Sequence, residues 1–283
     1  MKAEDFNTKY NPTWCPGCGN YGIWQSLKSA LVKSNLKPHE VVIVYGIGCS
    51  GNMNDFVKTY GFHALHGRAV PNACGIKMAN HELTVICIVG DGDCYGEGGN
   101  HLIHAARGNH DVKVFVHDNR IYGLTTGQTS PTSPHGFISK STPKGAIEIP
   151  LNPLTLAISQ GASFVGQGFA GSAPHLTNLM TKAIKHKGFS LLNILQPCVT
   201  FNKVCTFKFY QEKVYQLEKK NWKADDKFLA LKKASFGKSK IPIGVFYQEK
   251  RPAYHEQISQ IKKEPLVKQK VKIDVNSLFK KFV

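Results

Sequence analysis

Short β-branched runs alternate with helical stretches along the first two thirds of the chain. Val41-Val-Ile-Val-Tyr45 ends at Gly46, and Thr84-Val-Ile-Cys-Ile-Val89 ends at Gly90. Val112-Lys-Val-Phe-Val-His117 ends at Asp118, and Phe189-Ser-Leu-Leu-Asn-Ile-Leu195 ends at Gln196-Pro197. Short, nearly continuous apolar runs predict strands covered on both faces. Between them, residues 22–36 place Ile23, Leu27, Ala30 and Leu31 on one side of a helix. Residues 101–107 follow a glycine-rich approach, and residues 175–187 carry Leu176, Leu179, Met180 and Ile184 at helical spacing. Strand–helix–strand repetition predicts an α/β fold, a mostly parallel sheet sandwiched by helices. Ligands of such sheets bind in the crevice at the carboxyl ends of the strands, so the residues just past each run are the candidates for chemistry.

From about Phe207 the pattern gives way to Lys-rich, weakly periodic sequence broken by Gly237, Pro242, Gly244 and Pro252. This divides the chain into a catalytic domain, 1–206, and a basic C-terminal extension, 207–283, that wraps the domain or a partner. The charge follows the same division. Residues 203–283 hold 20 Lys and Arg against 8 Asp and Glu, whereas residues 1–202 hold 16 against 11. A solvated lysine-rich face is the simplest account of this surplus, because no nucleic-acid recognition motif accompanies it. With 42% hydrophobic and 19% charged residues the chain can bury a core. No apolar run reaches the roughly 18 residues needed to cross a bilayer, and the first residues do not resemble a signal peptide. The expectation is a cytoplasmic protein with neither membrane nor nucleic acid as partner.

Two strand ends carry oxygen donors. Gly90-Asp91-Gly92-Asp93 follows one strand, and the next ends in His117-Asp118-Asn119-Arg120-Ile121-Tyr122-Gly123. Glycines let backbone N–H groups approach phosphate oxygens, but Asp91 would repel a phosphate unless a divalent cation lay between. Mg²⁺ takes oxygen ligands, few of them from protein. Asn119 stands 28 positions after Asp91, beyond the next strand. That spacing resembles the thiamine diphosphate signature, which implies that Asp91, Asn119 and the Ile121 carbonyl hold Mg²⁺ against the diphosphate.

Cysteines gather at the same edge. Cys15-Pro-Gly-Cys18 precedes a helix, Gly46-Ile-Gly-Cys49-Ser follows the first strand, and Pro197-Cys198 follows the last clear one. In a reducing compartment such spacing points to metal ligation, and four thiolates suit either zinc or an iron–sulfur cluster. Cys87 lies within an apolar strand and reads as a buried small hydrophobe. Cys74, Cys94 and Cys205 lack comparable context, although Cys205 is a rival for the fourth ligand position.

These residues together resemble the β subunit of the 2-oxoacid:ferredoxin oxidoreductases, which include the pyruvate and 2-oxoglutarate enzymes. The matching stretches are Trp14-Cys-Pro-Gly-Cys-Gly-Asn20, Gly46-Ile-Gly-Cys-Ser50, His66-Gly-Arg-Ala-Val-Pro71, residues 99–107, residues 121–131 and Pro197-Cys-Val-Thr-Phe-Asn202. They cover about residues 12–202. The resemblance implies one [4Fe–4S] cluster on Cys15, Cys18, Cys49 and Cys198. It implies a coenzyme site lined by Ile47, Gly48, Cys49, Ser50, His66, Gly92, Asp93, Gly123 and Leu124, with His66 near the reacting groups. The implied activity is coenzyme A-dependent oxidative decarboxylation of a 2-oxoacid, with electrons passing through the cluster to ferredoxin. A thiamine enzyme needs a carboxylate from a second domain to activate its aminopyrimidine, and the resemblance implies that an α subunit supplies it. A non-redox thiamine-dependent decarboxylase subunit with a structural zinc site is the alternative.

Overall fold

The computed structural model describes residues 1–235, 239–270 and 274–282; Gly237, one of the expected breaks, lies outside them. The strands are β1 (Val41–Tyr45), β2 (Tyr60–His63), β3 (Thr84–Gly90), β4 (Lys113–Asp118), the small hairpin β5 (Ile121–Tyr122) and β6 (Gln128–Thr129), β7 (Phe164–Phe169), β8 (Ser190–Leu195), β9 (Val214–Gln216) and β10 (Ile241–Gln248). Except for the hairpin they form one sheet in the order β2-β1-β3-β4-β8-β7-β10-β9. Every described pairing in it is parallel except β10 with β7. The helices are α1 (Asn20–Lys33), α2 (Ala69–Ala79), α3 (Gly99–Gly108), α4 (Pro153–Ser159), α5 (Ala173–Lys185), α6 (Phe207–Lys213), α7 (Lys227–Ser235) and α8 (Val275–Phe279).

Side chains alternate across the pleat, and both faces are buried. Val41, Ile43, Ile86, Ile88 and Phe115 point into one core with Ile23, Leu27 and Leu31 of α1 and Leu176 and Met180 of α5. Val42, Val44, Val85, Cys87, Val114 and Val116 point into the other, against Ala73 of α2, Leu102 of α3 and Leu154 and Ile158 of α4. The register then decides what shares the top edge. Gly90 pairs with His117, and Asp118 pairs with Leu195. Asp91, Asn119 and Gln196 therefore leave the sheet side by side.

Several elements are absent from the sequence expectations, each for a visible reason. Gly166 and Gly168 interrupt the apolar pattern of β7. A Cβ at Gly168 would stand 2.6 Å from Leu176 Cδ1, so the strand is thinned to let α5 lie close. In β10, Pro242 and Gly244 read as breakers. Gly244 takes a left-handed φ of +138°, and a bulge falls between Val245 and Tyr247. Residues past 207, expected as a basic extension, supply α6, β9, α7 and β10, and Phe246 of β10 is fully buried in the core. Among the described residues no helix is long and apolar enough to cross a membrane.

Candidate functional site

The loops leaving β1, β3 and β4 enclose a slot with a cavity of about 70 Å³. Its lining includes Ile47, Gly48, Cys49, Ser50, His66, Asp91, Gly92, Asp93, Asn119, Ile121, Gly123 and Leu124. The residues expected for the Mg²⁺ site and for the coenzyme are thus brought to one place. After β3 the chain makes a π-helical turn over Gly92–Glu97, a geometry frequent at functional sites. Asp91, 1% exposed, stands at the start of that turn. Its Oδ2 accepts hydrogen bonds from the Ser130 and Thr132 hydroxyls. Burial, and then the nearby Asp118, push its carboxyl up to about 7. A cation beside it would relieve both. Asn119 Oδ1 accepts the Ile121 N–H at 3.0 Å, and Arg120 between them takes a left-handed φ of 62°. This Asx-type bond turns the chain sharply past Asn119.

Asp93 faces the opposite wall. Its Oδ1 accepts the Gly67 N–H at 2.7 Å and lies 3.5 Å from His66 Nδ1. Its other oxygen would stand 1.8 Å from a Cβ on Gly46, so only glycine fits at the end of β1. Burial raises the Asp93 carboxyl. His117 Nδ1 pairs with Asn20 Oδ1 at 2.8 Å, and burial lowers its imidazole to about 3. The ring is neutral, and the Asn20 bond takes its one N–H, leaving Nε2 as an acceptor.

Four slot-lining residues bury a polar atom that has no protein partner: Ser50 Oγ, Asp93 Oδ2, His117 Nε2 and Gln196 Oε1. Buried polar groups are nearly always paired, and leaving one unpaired costs about 1–3 kcal/mol. Such a concentration around one slot fits a polar, charged guest. The enclosed space has room for a small charged group.

The thiols sit directly beside the slot. Cys18 closes a turn through its N–H to the Cys15 carbonyl at 3.0 Å, with Gly17 at φ +80°. Trp14 Nε1 donates to the Cys49 carbonyl at 2.7 Å, tying the Cys15 segment to the loop after β1. A Cβ on Gly123 would lie 3.7 Å from Cys49 Sγ and 3.9 Å from Cys198 Sγ, so both sulfurs border the slot wall. Burial, and then the neighbouring Cys198, Cys49 and Cys15, push the Cys18 thiol up to about 12. Cys49 rises to about 11 through burial, Cys198 and Cys15. Each of the four therefore lies within electrostatic reach of others in the set. Among the described residues no three His, Cys, Asp or Glu side chains close in on a single metal-ion position. Cys205 lies elsewhere, buried near Arg120 Nη1 at 3.7 Å. Cys74, Cys87 and Cys94 are held high by burial. All eight cysteines are unpaired.

Sequence reasoning assigned no role to Ser130, Thr132, His117 or Gln196. Ser130 and Thr132 lie in the Gly-Gln-Thr-Ser-Pro-Thr stretch 39 and 41 residues past the carboxylate they contact, a distance no local pattern spans.

Residues 46–194 match the thiamine pyrophosphate enzyme C-terminal TPP-binding domain, and residues 198–263 match the C-terminal region of the pyruvate ferredoxin oxidoreductase β chain. A 2-oxoacid:ferredoxin oxidoreductase subunit beta of Saccharolobus solfataricus is 45% identical over 257 residues, 86% of this chain and 84% of that protein. The 2-oxoglutarate oxidoreductase subunit KorB of Mycobacterium tuberculosis is 44% identical over 202 residues, 71% of this chain and 54% of that protein. Among solved structures, a 2-oxoglutarate:ferredoxin oxidoreductase from Magnetococcus marinus, with 2-oxoglutarate, coenzyme A and succinyl-CoA bound, superposes with a TM-score of 0.92. It is 36% identical and covers 99% of this chain and 95% of its own. These relatives are named as oxidoreductases, which does not favour the non-redox, zinc-bearing alternative.

Proposed function

Since this chain belongs to the β-subunit family of the 2-oxoacid:ferredoxin oxidoreductases, we propose that its upper sheet edge holds the diphosphate end of thiamine diphosphate next to a [4Fe–4S] cluster. Asp91, Asn119 Oδ1 and the Ile121 carbonyl would hold Mg²⁺. The unpartnered Ser50 and the loop Ile47–Cys49 would face the diphosphate, with Gly92, Asp93, Gly123 and Leu124 completing the wall. Cys15, Cys18, Cys49 and Cys198 would ligate the cluster. The coenzyme, when bound, supplies the electron sink for loss of carbon dioxide from a 2-oxoacid such as pyruvate or 2-oxoglutarate. His66, which lines the slot beside Asp93, would be the polar side chain that touches the reacting acid. Coenzyme A would accept the acyl group, and a cluster on Cys15, Cys18, Cys49 and Cys198 would supply the route for electrons to ferredoxin.

The observation carrying this reading is the set of four unpartnered polar atoms in a slot whose wall is bordered by two cysteine sulfurs. The carboxylate that activates the aminopyrimidine belongs to the α subunit, and enzyme activity requires the complex. Unpaired thiols throughout suit a reducing compartment, the cytoplasm. The test is anaerobic purification of the complex with its α subunit, followed by iron analysis and visible absorbance. A brown complex bleached by 2-oxoacid plus coenzyme A supports the reading. A colourless complex with stoichiometric zinc overturns it.

A further inference from the structure

Gln196 touches both halves of the centre. It follows β8 directly, and its N–H donates to the Asp118 carbonyl at 2.9 Å, which pins it between the ends of β4 and β8. The residue is 2% exposed. Its Nε2 lies 3.3 Å from Cys18 Sγ and 3.1 Å from the Pro197 carbonyl. The Pro197 carbonyl accepts only from the amide N–H, and the flipped amide would set Oε1 against that oxygen, so a single orientation remains. In that orientation Oε1 is buried without a protein partner, on a residue that lines the slot with Asp91, His117 and Asn119. The close approach is built in at Gly19, where a Cβ would stand 2.9 Å from Gln196 Cγ.

We propose that Gln196 is a positioning residue for electron transfer, its Nε2–H donating to the Cys18 sulfur and raising the reduction potential of the cluster beside the coenzyme slot. The proposal rests on the assignment of Cys18 as a cluster ligand. Reduction adds negative charge that spreads onto the sulfurs, and a donor aimed at one of them stabilises the reduced state more than the oxidised. The same side chain joins that sulfur to a slot wall, so one residue is common to both sites.

The test is a redox titration, followed by electron paramagnetic resonance, of the anaerobically purified complex of this chain with its α subunit. Wild type is compared with Gln196→Met, Gln196→Glu and Gln196→Asn, with iron measured in each. Gln196→Met keeps length and loses the donor, and the midpoint potential should move negative at unchanged iron content. Gln196→Glu should move it further, because a carboxylate adds charge as the donor is lost. Gln196→Asn withdraws the amide by one methylene and should fall between wild type and Gln196→Met; should Gln196→Met lose iron, this variant decides. Potentials equal to wild type in iron-replete variants overturn the proposal. A wild-type complex with no reducible cluster on this chain overturns instead the ligand assignment beneath it, so the two failures are told apart.

Discussion

Gly19 separates the Cys15–Cys18 turn from the Pro197–Cys198 loop, and replacing it with alanine tests whether those two segments must touch. An added Cβ would lie 2.9 Å from Gln196 Cγ and 3.1 Å from Pro197 Cδ and N. Comfortable carbon contacts begin near 3.5 Å, so the segments must part by about 0.5 Å. The Gly19 N–H to Pro197 carbonyl bond, 3.1 Å, stretches with them. Overpacking of this kind costs about 1–3 kcal/mol. In a chain of this size that lowers the unfolding midpoint by roughly 2–10 °C. The chemical effect is larger than the thermal one. Metal–ligand distances tolerate only about 0.2 Å, and Cys18 and Cys198 sit on opposite sides of the wedge. Gly19→Ala should therefore lose most of its iron during anaerobic purification, while Gly99→Ala, where an added Cβ meets nothing within 4 Å, keeps it. Iron per complex and a thermal melt of both variants give the answer. A Gly19→Ala complex with full iron and a wild-type midpoint refutes the packing argument.

Other outcomes follow from the same geometry. Cys198→Ser should strip the cluster and Cys205→Ser should not, read by iron content, because Cys205 lies against Arg120 rather than among the other sulfurs. Asp91→Ala should lower coenzyme retention and turnover by at least about 100-fold, since even residues behind a metal ligand are worth 10- to 100-fold; equilibrium dialysis with thiamine diphosphate and Mg²⁺ checks it. Asp111 is half-buried, yet Lys113 and Lys77, the latter at 2.9 Å, outweigh the desolvation and hold its carboxyl well below the usual carboxylate range. Its folded pKa being depressed, this stabilisation is present above the unfolded carboxylate pKa and is lost as pH falls below it. Lys113→Met should cost about 3 kcal/mol near neutrality and flatten the acid limb of a melting series run downward in pH.

The parts of the fold legible in the sequence were those in which one residue class could do the whole task. β1 and β3 are covered on both faces, so unbroken Val and Ile runs marked them. β7 and β10 carry glycine, proline and a bulge where neighbours come close, and those residues mimic loop sequence. α2 packs through Ala69, Val70 and Ala73 around Pro71 and Gly75, too small a stripe to register as amphipathic. The same division holds at the site. Glycine-flanked Asp91 and Asn119 and the Cys-x-x-Cys turn carry their chemistry in local spacing, and the structure brings them to one edge. Thr132 and Gln196 act on atoms contributed by distant segments, so their meaning exists only after the sheet register is set.

Solvent reaches the four sulfurs unequally. Cys15 is exposed, Cys49 and Cys198 are half-covered, and Cys18 is buried. A cluster held by this set, as proposed, would turn its Cys15 corner toward the surface of this chain, and an electron would have its shortest way out there. It would also be the first place dioxygen arrives. On that proposal, fast discharge and vulnerability to air would share one doorway.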